Sequence, residues 1–222
     1  MAKSIIIKEL ANSSIDTATA LKRLKILLLS LKKPKLDNWV NCELNGYKEI
    51  ANVPDYRRFR GQVTANFIIG NAYRMITYNN TPLPTTNLSK EIRDRIEEIT
   101  FSEGITAIKE MEGQELGKSL PPEIYGVLTK GTNIDSITSA SVRVSKIAPV
   151  EIISAVETKV LEILCVLEKE FGILDELDLD CSDKSEKAID DISQRILNII
   201  YVDKSITIGD DNKITKSDFY IE

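Results

Sequence analysis

The sequence predicts an α+β protein in which amphipathic helices pack on a small antiparallel sheet, followed by a C-terminal helix and a short β tail. Three observations lead to this prediction. Apolar residues recur at three- and four-residue spacing in several segments, which is the period of a helix face. Two alternating segments flank Gly70-Asn71, a pair typical of a hairpin turn. An acidic stretch from Asp175 to Asp183 precedes the last apolar helix pattern and indicates a boundary.

The composition is that of an ordinary globular chain. Its 222 residues are 42% hydrophobic and 28% charged, enough for one sizeable domain with a small appendage. The net charge of −5 disfavours a general nucleic-acid binder, because such proteins carry a basic footprint. The apolar run Ile26–Leu29 is far too short to span a membrane. We therefore expect a cytoplasmic protein without a membrane segment.

Residue types needed for common catalytic sites are scarce. Histidine is absent, which excludes histidine-dependent triads and most zinc sites. Cys42, Cys165 and Cys181 lack metal-ligand spacing, and an odd number suits reduced thiols in a cytosol. Glu43 next to Cys42 would raise the pKa of the thiol, the opposite of what a nucleophile needs. We expect no catalytic constellation, no metal and no cofactor, and the sequence favours a non-enzymatic protein.

The first third of the chain predicts helices. Ile5–Leu10 fits a short helix, although its isoleucine run is equally compatible with a strand. Asp16 is a good cap for the next helix, which carries a leucine stripe. Lysines on that helix suggest either a solvated outer face, which we favour, or a membrane surface or acidic partner. Pro34–Asn45 follows as an amphipathic helix that ends at Gly46.

Local signals concentrate between Trp39 and Gly61. One interpretation is purely structural: a helix–loop–strand corner in which the tryptophan packs in the core and the arginines pair with Asp55 or Glu49. The other interpretation is a ligand-binding site, because guanidinium groups bind phosphate through paired donors and tyrosine can stack on a base. Strand alternation places Arg58 and Arg60 on one face and Arg57 on the other. The candidate ligand-binding residues are Arg57, Arg58, Arg60, Tyr47 and Tyr56.

This region also carries a family resemblance. The run Trp39-x3-Glu43-Leu44-Asn45-Gly46-Tyr47, followed by Pro54-x-Tyr56-Arg57 and Gly61, resembles the N-terminal part of the abortive infection protein AbiTii family. The leucine-rich helix before it and the later helix with Leu161 and Leu167–Glu170 are similar too, so the resemblance covers roughly residues 3–172. It implies a bacterial anti-phage protein that disables or kills the infected cell. It implies no catalytic residues.

The middle of the chain predicts a hairpin and further helices. Phe59–Ile69 and Ala72–Tyr78 should pair antiparallel around Gly70-Asn71. Short helices follow near residues 88–99, 105–111 and 122–128, and Ala140–Val144 alternates as a half-buried strand. The strongest helix runs from Pro149 to Phe171 and ends at Gly172, and we expect it to lie across the sheet.

The sequence divides into residues 1–172 as an α+β domain, 173–183 as an acidic linker and 184–222 as a helix plus β tail. A helix with a strong apolar face after a linker either docks on its own domain or pairs with another copy. The tail is too small to be stable alone. We therefore predict homo-oligomerisation through this segment. Its candidate residues are Ile189, Ile192, Ile196, Ile200, Ile206, Ile208 and Ile214.

Two functions fit these observations. The favoured one is an abortive-infection sensor or toxin without enzymatic activity, which acts through self-assembly and contacts with a phage or host protein. The other is a nucleotide- or nucleic-acid-responsive effector that binds phosphate through its arginines and tyrosines. The family resemblance implies the defence role. The two candidate mechanisms are inferred from the sequence features described above.

Overall fold

The structure, a computed structural model, describes residues 3–71 and 73–201 and confirms the α+β class. Its helices are α1 Ile5–Ala11, α2 Thr17–Ser30, α3 Pro34–Asn45, α4 Lys90–Glu97, α5 Ile105–Glu110, α6 Tyr125–Leu128, α7 Ala148–Phe171 and α8 Glu186–Tyr201. Its strands are β1 Arg58–Arg60, β2 Gln62–Asn71, β3 Arg74–Pro82, β4 Glu98–Thr100, β5 Leu116–Ser119 and β6 Ser136–Val144.

Most helices share one apolar core. The leucine stripe of α2 is buried, and Asp16 caps that helix by accepting a hydrogen bond from the Thr19 backbone N–H at 2.6 Å. Helix α7 contacts α1, α2, α5 and α8, so it lies at the centre of the helical layer. The expectation that α7 crosses the sheet is not met. Its buried side chains belong to the helical core, whereas Val63, Phe67 and Val142 of the sheet lie in a second core.

The main sheet is antiparallel, with strand order β3-β2-β6-β5. The predicted hairpin is present, but its turn lies between Asn71 and Arg74 rather than at Gly70-Asn71. Gly70 instead permits close pairing, since a Cβ there would lie 2.1 Å from the Arg74 carbonyl oxygen. Gly61 separates β1 from β2, and its N–H donates to the Glu97 carbonyl at 2.8 Å. As a result, β1 pairs with β4 instead of extending the hairpin.

The segment predicted as a linker contributes to the helical core. Leu174 is 0% exposed and Leu179 4% exposed, and both belong to the same core as the first helices. Helix α8 packs on α7 and α3. In the part of the chain that the structure describes, residues on both sides of the predicted division after residue 172 therefore share one apolar core.

The isoleucines of α8 require a correction. Ile189, Ile192, Ile196 and Ile200 are between 0% and 9% exposed, buried by their own subunit. In this arrangement they are not available as an interface with another copy, because α7 and α3 already cover the apolar face of α8. The other three candidate residues for oligomerisation, Ile206, Ile208 and Ile214, lie outside the described residues.

Candidate functional site

One carboxylate joins the residues of the sequence motif. Glu43, on α3, accepts hydrogen bonds from the hydroxyls of Tyr47 and Tyr56, the second at 2.6 Å. The Arg57 guanidinium donates to the same carboxylate, with Nη2 2.5 Å from Oε2 and Nε 3.3 Å from Oε1. Both charged side chains are 0% exposed. We call Glu43, Tyr47, Tyr56 and Arg57 the Glu43 cluster.

Arg57 is a structural residue rather than a surface cation. Its Nη1 also donates to the carbonyls of Phe101 and Glu103, at 3.3 and 2.8 Å. Burial alone would lower the pKa of Arg57, but the Glu43 carboxylate raises it, so the guanidinium stays charged. Because solvent does not reach this side chain, Arg57 cannot bind a ligand from solution in this conformation. Its prediction as a ligand-binding residue is corrected accordingly.

The tyrosines of the cluster remain protonated at neutral pH. Burial and then the adjacent Glu43 carboxylate raise the pKa of both Tyr47 and Tyr56 well above the usual range for a phenol. Each hydroxyl can therefore donate to Glu43 without competing ionisation. Within the Glu43 cluster, the carboxylate accepts hydrogen bonds from both hydroxyls and from the Arg57 guanidinium.

Close backbone approach accounts for the glycine in the Glu-Leu-Asn-Gly-Tyr run. Gly46 has a φ of +94°, and a Cβ there would lie 2.8 Å from the Ser102 carbonyl oxygen. Gly104 approaches from the other side, since its Cβ would lie 2.4 Å from the Leu44 carbonyl oxygen. The Tyr47 N–H donates to the Ser102 carbonyl at 2.7 Å. The motif thus fastens the end of α3 to the segment before α5.

Arg58 and Arg60 lie on β1 and form ion pairs with the α4–β4 region. Arg58 Nη1 is 2.9 Å from Glu98 Oε1, and Arg60 Nη2 is 2.5 Å from Asp94 Oδ1. Arg58 also donates to the backbone carbonyls of Ile50 and Val53. The three predicted arginines therefore do not converge on one ligand. The local ion-pair interpretation describes their geometry better, with Glu98 and Asp94 as the main partners.

A cleft of about 530 Å³ lies beside the Glu43 cluster. We call it the Trp39 cleft. Its aromatic inner wall is formed by Trp39, Tyr47 and Tyr56. The remaining walls come from α3, the loop before β1, α7 and the end of α8, and are formed by Lys35, Asn38, Ala51, Asn52, Val53, Pro54, Asp55, Lys159, Ile200 and Tyr201. Two of the predicted ligand residues, Tyr47 and Tyr56, therefore lie at this site.

Hydrogen bonds fix the inner wall of the Trp39 cleft. The Trp39 indole N–H donates to the Tyr56 hydroxyl at 3.0 Å, and that hydroxyl donates to Glu43. Lys159 Nζ lies 5.1 Å from the centroid of the Tyr56 ring and donates to the Ile199 carbonyl at 2.7 Å. Sequence reasoning missed Lys159, because α7 brings it to this site and no local pattern marks it.

A second surface lies on the hairpin of β2 and β3. Its exposed apolar side chains are Tyr73, Met75, Ile76 and Tyr78, at 98%, 68%, 40% and 37% exposure. The Tyr78 ring stacks on Phe67 with centroids 4.9 Å apart, so the apolar face of the sheet continues outward from the core. We call these four residues the hairpin surface. The sequence predicted a strand over Ala72–Tyr78 but did not indicate that these side chains stay exposed.

Burial, followed by the Glu43 carboxylate, raises the pKa of the Cys42 thiol, which makes it a poor nucleophile at neutral pH. Within residues 3–71 and 73–201, histidine, cysteine and carboxylate side chains form no group that could hold a metal ion. In the same ranges, no helix combines the length and the hydropathy needed to cross a membrane.

Comparison with known protein families gives a match over most of the chain. The model of the family described as AbiTii matches residues 4–193. That range includes the Glu43 cluster, the hairpin surface and the first part of α8. No curated protein and no solved structure matches the chain.

Proposed function

Because the chain belongs to the AbiTii family, and therefore to the proteins of abortive-infection defence against phage, we propose that it acts as a non-enzymatic sensor or toxin. We propose that it self-assembles through the hairpin surface. The observation that carries this proposal is the exposed, uncharged edge of β3. An edge strand presents unpaired N–H and C=O groups to which another strand can add. Monomeric proteins usually protect such an edge with charges, prolines or a covering segment.

Strand β3 has little of this protection. Between Arg74 and the final Pro82, its sequence is Met-Ile-Thr-Tyr-Asn-Asn-Thr and carries no charge. Ile76 and Tyr78 are partly exposed beside this edge, on the face that holds Phe67. Both the backbone and the neighbouring side chains therefore favour pairing with another strand.

A second copy of the same chain fits this edge. If two β3 strands pair antiparallel near Tyr78, Arg74 of one copy lies near Pro82 of the other, and like charges do not meet. The opposite edge of the sheet is the four-residue strand β5, with Lys118 on it and Pro121-Pro122 soon after. It offers a poor partner for the nine residues of β3. Pairing of β3 with β3 also closes a twofold dimer instead of propagating a fibre.

This assembly gives the defence role a mechanism without a catalytic site. Dimerisation would extend the four-stranded sheet of each copy across the interface and bring Ile76 and Tyr78 next to the added strand. A phage or host protein that altered this equilibrium would then be detected through the assembly state. The helix α8, which the sequence had suggested as the interface, instead completes the core of each copy.

Sedimentation of the full-length chain tests the proposal. We expect wild type to have about twice the 24.9 kDa mass of one chain, and Ile76→Lys to have the mass of a single chain. Ile50→Lys is the matched control, because Ile50 is 62% exposed and lies outside the hairpin. Ile50→Lys should remain dimeric and protect cells in a plaque assay, whereas Ile76→Lys should lose protection. A monomeric wild type, or a dimeric Ile76→Lys variant, would overturn the proposal.

The alternative of a phosphate-responsive effector built on Arg57, Arg58 and Arg60 has less support. Arg57 is buried in the Glu43 cluster, and the other two arginines pair with carboxylates of the same chain. A phosphate would have to displace Glu98 from Arg58 and Asp94 from Arg60. For this reason we do not assign that surface as a binding site.

A further inference from the structure

The Trp39 cleft has the size and rigidity of a small-molecule site. Ligand pockets usually have volumes of about 300–1,000 Å³, and this cleft, at about 530 Å³, lies within that range. Trp39 is only 1% exposed, and its N–H donates to the Tyr56 hydroxyl, which ties the indole to the Glu43 cluster. The inner wall is therefore formed before any ligand arrives, which lowers the entropy lost on binding.

The charges around the cleft favour an anion. Lys35 lines the cleft from α3, and Lys159 lines it from α7. Among the lining residues that the structure describes, Asp55 is the single acidic one. The Asp55 side chain is 89% exposed and lies 3.8 Å from Arg58 Nε, so its charge is largely compensated and screened by solvent. The described lining residues thus include two lysines and one screened carboxylate, on a chain whose net charge is −5.

The aromatic residues favour a planar group. Tyr56 and Tyr201 both line the cleft. Lys159 Nζ lies over the Tyr56 ring, whereas Tyr201, at the end of α8, is 55% exposed. Flat aromatic rings bind nucleobases by stacking. Asn38 and Asn52 add amide groups, which can both donate to and accept from the edge of a base.

We propose that the Trp39 cleft binds a small anion that carries a planar ring, which is the chemistry of a nucleotide. The ring lies against Tyr201, which is 55% exposed, and the anionic group lies near Lys35 and Lys159. This site is distinct from the hairpin surface, so binding and assembly can be tested separately. Trp39 is the single tryptophan of the chain and therefore reports directly on occupancy through its fluorescence.

Titration of the full-length protein with ADP tests the proposal, followed by Trp39 fluorescence and calorimetry. We expect saturable quenching, with an affinity that falls as salt increases. Lys35→Glu should weaken ADP binding at least tenfold. Lys22→Glu is the control, because Lys22 is an exposed lysine on α2 outside the cleft. It should leave the affinity unchanged.

Two smaller probes separate the contributions of the ring and the anion. Adenosine and inorganic phosphate should each bind more weakly than ADP, and Lys35→Glu should affect phosphate more than adenosine. Absence of ADP binding to the full chain would overturn the proposal. ADP binding that is equally strong in the Lys35→Glu variant would overturn it as well.

Discussion

The Glu43 carboxylate and the Arg57 guanidinium form an ion pair from which solvent is excluded, with Nη2 2.5 Å from Oε2 and both side chains 0% exposed. The same carboxylate accepts the hydroxyls of Tyr47 and Tyr56, and the same guanidinium binds two backbone carbonyls. A buried pair is stable when its remaining hydrogen-bonding groups are satisfied in this way. The pair therefore holds α3, the loop before β1 and the segment before α5 in fixed relation, and it supports the wall of the Trp39 cleft.

Removing one member of this pair should be costly. Arg57→Ala leaves the Glu43 carboxylate buried without a cation, so the free energy of unfolding should fall by about 3–5 kcal/mol. Urea unfolding of the full chain measures this loss. Arg60→Ala is the control, since Arg60 is 61% exposed and its pair with Asp94 should contribute at most about 1 kcal/mol. Similar losses in the two variants would contradict a structural role for the Glu43–Arg57 pair.

The close contact at Gly104 gives a second prediction. A Cβ at this position would lie 2.4 Å from the Leu44 carbonyl oxygen, which belongs to rigid backbone. Gly104→Ala should therefore destabilise the fold by about 1–3 kcal/mol, the usual cost of overpacking. Gly126→Ala is the matched control, because its Cβ would meet nothing within 4 Å and Gly126 lies in α6. Thermal unfolding should show a lower midpoint for the first variant and an equal or higher midpoint for the second.

Helix α8 provides a test of intramolecular docking. Ile196 is 0% exposed in the helical core, so Ile196→Ala should lower the free energy of unfolding by about 2–5 kcal/mol. It should leave the mass in sedimentation unchanged, because its contacts lie within one subunit. Asn198→Ala, at an exposed position of the same helix, should change stability by less than about 0.5 kcal/mol. A folded Ile196→Ala variant with a lower oligomeric state would instead place α8 at an interface.

Sequence reasoning succeeded where the signal was local. The Asp16 cap, the leucine stripe of α2 and the end of α3 at Gly46 depend on neighbouring residues, and the structure confirms each of them. Strand alternation also separated Arg57 from Arg58 and Arg60. It could not identify Glu43 as the partner of Arg57, because that contact depends on how α3 docks against the loop before β1.

The same limit applies to α8 and to the Trp39 cleft. An apolar stripe with helical period shows that Ile192 and Ile196 need cover, but not whether the cover comes from the same chain or another copy. Lys159 and Tyr201 reach the cleft from α7 and α8, which are adjacent only after the fold has formed. Tertiary packing, rather than any local pattern, thus created the part of the candidate site that the sequence did not reveal.

The attachment of the N-terminus to α7 should depend on pH through Glu168. Its carboxylate accepts hydrogen bonds from the Ser4 N–H, the Ser4 hydroxyl and Lys3 Nζ, at 2.6, 2.7 and 2.6 Å. Burial alone would raise the pKa of Glu168, but these three bonds outweigh it and lower the pKa from 4.5 to about 2. A carboxylate whose pKa is lower in the folded state stabilises the protein above its unfolded pKa, and that contribution disappears as the pH falls towards the folded value.

Glu168→Gln should therefore be less stable than wild type at pH 7, by about 1.5–3 kcal/mol if the bonds to the charged group are lost. The difference should shrink as the pH is lowered from about 4.5 towards 2, because the wild-type carboxylate then binds the proton that the unfolded chain already holds. Urea unfolding at a series of pH values measures both curves. Glu162→Gln, at an exposed position of α7, provides the baseline and should follow wild type throughout. A gap between wild type and Glu168→Gln that stayed constant down to about pH 3 would show that the carboxylate charge does not hold the N-terminus in place.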